Sequence, residues 1–160
     1  MGGNGFVGSA DASEDRRAWL SVLAKARPDE ARRAWTELDV RPAYQALRNP
    51  EIGLVMVRGR MGGAGDPFNL GEMTVTRSAV RLSSGETGVG YVAGRDKLHA
   101  EIAAAVDAML QSPTLHDGAY RQVIQPLLEA QPRRREAAGR KVAATRVEFF
   151  TMVRDRKPQA

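Results

Sequence analysis

The glycine-rich segment Arg60-Met61-Gly62-Gly63-Ala64-Gly65 is the first pattern in the chain that could do chemistry. Glycines free the backbone to turn its N–H groups toward an anion, and an adjacent arginine could bind a phosphate oxygen bidentately. The segment connects two predicted strands and lacks a Gly-Lys-Ser/Thr ending, so it is neither a dinucleotide-binding fingerprint nor a P-loop. Two hypotheses follow: a flexible strand connection, or an anion site formed by Arg60, Gly62, Gly63 and Gly65.

A second candidate is Gly94-Arg95-Asp96-Lys97-Leu98-His99, at the predicted start of a helix. If Asp96 caps this helix, free N–H groups and the positive end of the dipole lie beside Arg95 and Lys97. That arrangement predicts a phosphate or triphosphate site, with His99 as a further candidate. The alternative is that Asp96 occupies the cap itself, Lys97 pairs with a carboxylate four residues on, and His99 is a boundary residue of the apolar face.

The positive charge is concentrated at the C-terminal end. Of 24 basic and 19 acidic residues, 131–160 hold nine and three, which leaves 15 basic and 16 acidic residues in the rest. Such a segment could bind nucleic acid, but it lacks interleaved aromatic residues, and Glu136 and Glu148 dilute its charge. A solvated or partner-facing helix is favoured. The basic residues concerned are Arg133, Arg134, Arg135, Arg140, Lys141 and Arg146.

The apolar residues of the last segment point around most of a helix rather than along one side. A helix that is apolar on two sides needs burial on both, which predicts an intermolecular contact. The candidate interface residues are Val147, Phe149, Phe150, Met152 and Val153.

Composition excludes several classes of protein. The chain has no cysteine, so it has no disulfide, thiolate metal site, cysteine nucleophile or cysteine-ligated iron–sulfur cluster. Its two histidines, His99 and His116, form no His-Glu-x-x-His motif, and no metal site is expected. No apolar run approaches the roughly 20 residues of a membrane span, and residues 1–10 do not resemble a signal peptide. We expect a soluble, cytoplasmic protein.

The hydrophobic core is expected to be thin. Hydrophobic residues make up 42% of the 160, but 24 of them are alanines and only six are Phe or Trp. Because burial stabilises by roughly 25 cal/mol per Å² of apolar surface, alanines contribute little each. The chain is therefore expected to complete its stability against a partner.

Periodicity predicts helices at both ends and a sheet between them. Ser13 is a candidate cap for a helix ending near Arg27, and Pro28 begins a second helix. Four antiparallel strands follow, with a turn at Asn49-Pro50-Glu51 and a bulge near Arg77–Ser78 in the third strand. The predicted strands are Tyr44–Arg48, Leu54–Arg60, the segment from Met73 to Leu82, and Val89–Ala93.

After the sheet, helical spacing returns. A helix capped by Asp96 ends at Ser112-Pro113, a short helix is interrupted at Pro126, and a long one runs from about Pro132 to Arg154. The predicted fold is α+β, with a small sheet of about four strands flanked by N-terminal helices, a central helix and a long C-terminal helix. One domain is expected over 13–155, with a flexible lead over 1–12 and a tail over 156–160.

Taken in order, these segments resemble the PhnG subunit family of the bacterial carbon–phosphorus lyase system, which degrades phosphonates. The resemblance covers the chain from about Arg16 to Arg154 and includes several long, idiosyncratic strings. They are Gly53 to Gly65, Phe68 to Arg77, Ala79 to Leu82, Gly90 to Lys97, and Arg146 to Arg154.

The resemblance implies a subunit of an enzyme complex, not catalytic alone, and a hetero-oligomer with PhnH-, PhnI-, PhnJ- and PhnL-type partners. In the step that it implies, an alkylphosphonate displaces adenine from MgATP and gives ribose 1-phosphonate 5-triphosphate. The family places nucleosidase chemistry on PhnI and radical cleavage, with an iron–sulfur cluster, on PhnJ. The resemblance implies no catalytic residue and no cofactor on this chain. Neither nucleic acid nor a membrane is expected as a partner.

Overall fold

The computed structural model describes residues 9–144, with side-chain detail for 13–134, 136, 137, 139 and 140. Along the chain, helices precede and follow the strands of the sheet, as the sequence predicts for an α+β fold. The elements are α1 (Ser9–Lys25), α2 (Pro28–Thr36), β1 (Tyr44–Arg60), a 3-10 turn (Met61–Gly63), β2 (Pro67–Leu82), β3 (Thr87–Ala93), α3 (Lys97–Gln111), α4 (His116–Ala119), a π-helical turn (Tyr120–Ile124) and α5 (Gln125–Ala144).

The described sheet has three antiparallel strands in the order β1-β2-β3, not four. The predicted turn Asn49-Pro50-Glu51 is wrong, because these residues lie inside the continuous strand β1. Register shifts on this stretch of β1 absorb the irregularity. An edge strand tolerates proline because its outward side needs no N–H donor.

The bulge predicted at Arg77–Ser78 is also wrong in its position. The β2–β3 register runs without a shift through these residues, and the irregularity lies opposite them in β1, between Arg48 and Glu51. The apolar alternation breaks in β2 because two polar residues occupy core-facing positions. The hydroxyl of Thr76 donates to the carbonyl of Gly94, and that of Ser78 donates to the carbonyl of Arg48.

Helix α3 packs unusually close to the sheet because small residues face each other. A Cβ at Gly88 would lie 2.0 Å from the carbonyl oxygen of Ala104, and one at Gly90 would lie 2.0 Å from that of Ala100. The facing alanines of α3 are completely or almost completely buried. The alanine-rich core expected from composition is therefore built by close approach of backbones rather than by bulky side chains.

The helices differ from prediction at three places: the start of α1, the break expected at Pro126 and the start of α5. Helix α1 is already formed at Ser9, the first residue that the structure describes, so Ser13 lies inside the helix and is not its cap. Ala10 and Ala12 favour helix in this stretch. The predicted break at Pro126 is wrong, since helical structure continues from α4 through the π-helical turn into α5.

Proline can lie within this continuous helix because the turn before it is adjusted. Pro126 has no N–H to donate and its ring clashes with the carbonyl four residues earlier. The π-helical turn Tyr120–Ile124 changes the hydrogen-bonding step just before it, a common local solution. Helix α5 begins at Gln125, seven residues before the predicted start at Pro132, so Pro132 lies inside the helix. None of the helices in the described part of the chain combines the length and apolar character of a membrane span.

Candidate functional site: loop, helix start and protruding arm

The glycine-rich segment forms the tip of a hairpin between β1 and β2. Gly62 and Gly63 have φ values of +62° and +82°, which favour glycine. Arg60 donates from Nη1 to the carbonyl of Gly65 at 3.2 Å, and the amide of Gly65 donates to the carbonyl of Met61 at 2.9 Å. Arg60 thus closes the loop and connects the strands, and anion binding by this loop stays a prediction.

The start of α3 forms as the capping hypothesis predicts. Asp96 Oδ1 accepts the amide of His99 at 2.9 Å, and its other oxygen pairs with Arg32 of α2. The amide of His99, and after it the guanidinium of Arg32, holds the pKa of Asp96 below its usual value. The side chains of Arg95 and Lys97 are exposed, and within the described part of the chain neither side chain forms a hydrogen bond or ion pair.

His99 lies inside the protein rather than at this surface. Its side chain is 2% exposed, and Nε2 lies 3.0 Å from the carbonyl oxygen of Leu23 in α1. Burial lowers the pKa of the ring, so the neutral form donates Nε2–H to that carbonyl. This geometry gives His99 a packing role between α3 and α1 and leaves its ring no open path to a ligand.

The structure does not bring the two predicted anion sites together. Strand β3 ends where Ala93 pairs with Val75, and Gly94 then donates to the carbonyl of Thr74. From Thr74, β2 extends seven residues to Pro67 at the hairpin tip, about 23 Å at the usual rise per residue. Arg60 and Arg95 therefore lie at opposite ends of this extension and cannot form one site.

Residues 54–74 form a two-stranded arm that extends beyond β3. In this arm, Leu54 pairs with Thr74 and Met56 pairs with Glu72 on one face, whereas Val55 and Met73 pair on the other. Six of its apolar side chains are 42–76% exposed. They are Leu54, Met56, Met61, Phe68, Leu70 and Met73. Sequence reasoning missed the arm, although the uninterrupted apolar run 54–57 is typical of a strand buried on both faces.

A buried carboxylate, also missed from the sequence, joins α3 to the two neighbouring elements. Asp107 is fully buried and accepts four hydrogen bonds. Arg16 of α1 donates through Nε at 3.2 Å and Nη2 at 2.8 Å, Trp19 through Nε1 at 2.9 Å, and the amide of Val89 in β3 at 2.9 Å. Because the donors come from distant parts of the chain, local periodicity gave no signal for this contact.

A groove between α1 and the C-terminal helices is lined by other residues. Its volume is about 490 Å³, and Trp19, His116 and Tyr120 contribute aromatic surface. His116 stacks on Tyr120, and its Nδ1 lies 2.6 Å from the carbonyl oxygen of Leu110. None of the residues predicted to bind an anion lines this groove. Among the described residues, no group of three His, Asp or Glu side chains could hold a metal ion.

The basic C-terminal segment is only partly described. Arg134 pairs with Glu30 of α2 and donates to the carbonyl of Lys25, so its charge faces the protein itself. Arg140 lies 4.0 Å from Glu136 within α5. The predicted interface residues from Val147 to Val153 lie outside the described residues.

By its fold, the molecule is a small α+β protein with a protruding two-stranded arm. Residues 14–155 match the family described as phosphonate metabolism protein PhnG. The curated alpha-D-ribose 1-methylphosphonate 5-triphosphate synthase subunit PhnG of Rhizobium meliloti (strain 1021) is 48% identical over 158 residues, which cover 93% of this chain and 98% of that protein. The chain belongs to the PhnG family, as the resemblance in its sequence predicts.

Proposed function

We propose that this chain is a non-radical subunit of the bacterial carbon–phosphorus lyase core complex. It acts with PhnH-, PhnI- and PhnL-type subunits in the synthase step, in which the ribose triphosphate moiety of MgATP passes to an alkylphosphonate and adenine leaves. The 48% identity to a protein named as a subunit of that synthase supports this proposal. A PhnJ-type subunit completes the proposed hetero-oligomer, which we expect in the cytoplasm.

Within that complex, the chain acts by holding subunits together. The observation that carries this role is the arm, whose six exposed apolar side chains lie where its own domain supplies no cover among the described residues. Summed over both faces and the tip, these six residues expose on the order of 700 Å², close to one partner's share of a standard interface. Such a surface is stabilised when another chain covers it.

Co-expression with the four neighbouring subunits tests the role. The double variant Leu54→Ser/Met56→Ser removes apolar surface from the arm, and Leu98→Ser/Leu128→Ser removes similarly exposed side chains elsewhere. We expect the arm variant to lower recovery of the assembly at least tenfold and the control pair to stay within twofold of wild type. Equal recovery for both pairs, or neighbours that assemble fully without this chain, would contradict the assembly role.

The same assembly tests whether the chain has an anion site of its own. Arg60→Ala and Arg95→Ala are measured separately, because their positions make them independent. Assembly at wild-type yield with adenine release lowered tenfold or more by either variant would favour a phosphate site at that residue. Under the assembly role, both variants release adenine at nearly the wild-type rate.

A further inference from the structure

Among the described residues, no strand pairs with the side of β2 that faces β3 along the arm. Gly94 donates to the carbonyl of Thr74, which shows that the backbone groups of Thr74 point toward the β3 side. Successive residues of a strand point their N–H and C=O groups to alternate sides, and the β1–β2 register has no shift between Val75 and Gly71. The amide and carbonyl of Glu72 therefore point to the same side as those of Thr74, at a level that β3 does not reach.

The opposite edge of the arm's sheet has features that discourage pairing. Within the arm, β1 carries the exposed charges of Arg58 and Arg60. Just before the arm, the same edge has register shifts around Arg48, Pro50 and the exposed charge of Glu51. Proline, irregular register and charge are the usual means by which natural proteins protect an edge strand. The open part of β2 has Glu72 as its only charged residue over positions 68–74. Its register with β1 shifts once, where Leu70 is the extra residue, and runs without a shift from Gly71 to Thr74.

We infer that the open edge of β2 over residues 68–74 accepts a β-strand from a different polypeptide, in line with β3. The inference rests on the proposed function, since it describes how a neighbouring subunit docks. The space suits a strand of five or six residues at about 3.3 Å each. Backbone groups such as those of Glu72 supply its hydrogen bonds, and apolar side chains from the same partner cover both faces of the arm.

The occupant is a different chain rather than a second copy. Two arms that paired edge to edge would satisfy backbone groups but leave the faces of both arms in water. The exposed side chains of Leu54 and Met56 on one face, and of Phe68 and Met73 on the other, would gain no cover. A chain that brings further elements beside its strand can cover both faces, which matches the roughly 700 Å² available.

Proline variants compare the two edges at one level of the arm. Glu72 and Met56 lie directly opposite each other and form a non-hydrogen-bonded pair of the antiparallel ladder. The amide of each residue therefore points away from the other strand. Glu72→Pro removes the donor on the β2 edge, with Glu72→Ala as the control for its side chain. Met56→Pro removes the donor on the β1 edge, with Met56→Ala as its control.

Affinity is measured between each variant and the co-expressed PhnH-, PhnI- and PhnJ-type neighbours. We expect Glu72→Pro to bind at least tenfold more weakly than Glu72→Ala, and Met56→Pro to match Met56→Ala within twofold. Equal affinities for the two Glu72 variants overturn strand addition and leave the assembly role standing. A wild-type chain that binds none of the neighbours instead refutes the assembly role.

Amide-resolved hydrogen exchange on the wild-type chain gives a result that does not depend on whether the proline variants fold. On assembly, we expect exchange at the amide of Glu72 to slow at least tenfold, and exchange at Met56 to change less than threefold. Slow exchange at Glu72 that rises with concentration in the isolated chain would identify a second copy. Exchange at Glu72 could instead be slow in the isolated monomer and become fast when the chain is truncated after Ala144. That result would identify the chain's own C-terminal segment as the occupant. Either result overturns the inference.

Discussion

Replacing Asp107 with asparagine tests the buried contact that joins α1, α3 and β3. Oδ1 accepts from Arg16 Nε and Trp19 Nε1, while Oδ2 accepts from Arg16 Nη2 and the amide of Val89. Asparagine has nearly the same shape but only one acceptor oxygen. Whichever way its amide is turned, the NH₂ group faces two donors, one of them from Arg16 and the other from Trp19 or Val89.

The expected cost follows from these contacts. Arg16 is 37% exposed on its side chain and can turn toward water, but Trp19 Nε1 or the amide of Val89 stays buried without an acceptor. A buried unsatisfied donor costs about 1–3 kcal/mol, and losing charge-assisted hydrogen bonds adds a similar amount, so we expect a loss of about 3 kcal/mol. For a domain of this size, that lowers the melting temperature by roughly 6–12 °C.

Denaturant and thermal unfolding of the full-length chain measure this loss. Asp117→Asn is the matched control, because it makes the same change at an exposed position and is expected to alter stability by less than about 0.5 kcal/mol. If Asp107→Asn lost less than about 1 kcal/mol, the four hydrogen bonds would not be what holds these elements together, and the reasoning above would fail.

Three further predictions concern packing and pH. Gly90→Ala puts a Cβ 2.0 Å from a carbonyl oxygen of α3, so we expect it to lower the free energy of unfolding by more than about 2 kcal/mol or to prevent folding. Gly53→Ala has open space around it and is expected to change that free energy by less than about 0.5 kcal/mol in the same unfolding assay. Burial lowers the pKa of His99, so the unfolded chain takes up its proton first and stability falls as pH drops below 6.5; His99→Gln should flatten the slope between pH 7 and 5 in unfolding series. Burial, and then the hydrogen bond to Glu101, raises the pKa of Tyr44 to about 12, so stability falls as pH rises from 10 to 12, and Tyr44→Phe should remove that loss.

Local signals in the sequence correctly predicted the elements that depend on neighbouring residues. The cap at Asp96, the apolar spacing of α3 and the proline that begins α2 each involve groups within one helical turn, and all three are confirmed. Patterns that depend on what lies across the sheet were misjudged. Pro50 resembles a turn residue along the chain, and only its place on an edge strand explains why β1 continues through it.

The candidate sites show the same division. The sequence identified the glycine loop and the start of α3 as chain segments, but not that a 23 Å length of hairpin would separate them, since strand pairing decides that distance. The contacts of Asp107 span 88 and 91 positions along the chain to Trp19 and Arg16, so no window of local sequence contains both ends. Spacing alone likewise could not tell that His99 points toward α1.

The arm also bears on how cells must make this protein. A hairpin joined by a short loop forms early in folding because its contacts are local, so its exposed apolar side chains and unpaired edge are present before the proposed assembly takes place. Unpaired strand edges of this kind promote aggregation in chains that wait too long. If neighbouring subunits cover the arm as proposed, balanced synthesis of the subunits would shorten that exposure, and an excess of this chain would aggregate or be degraded.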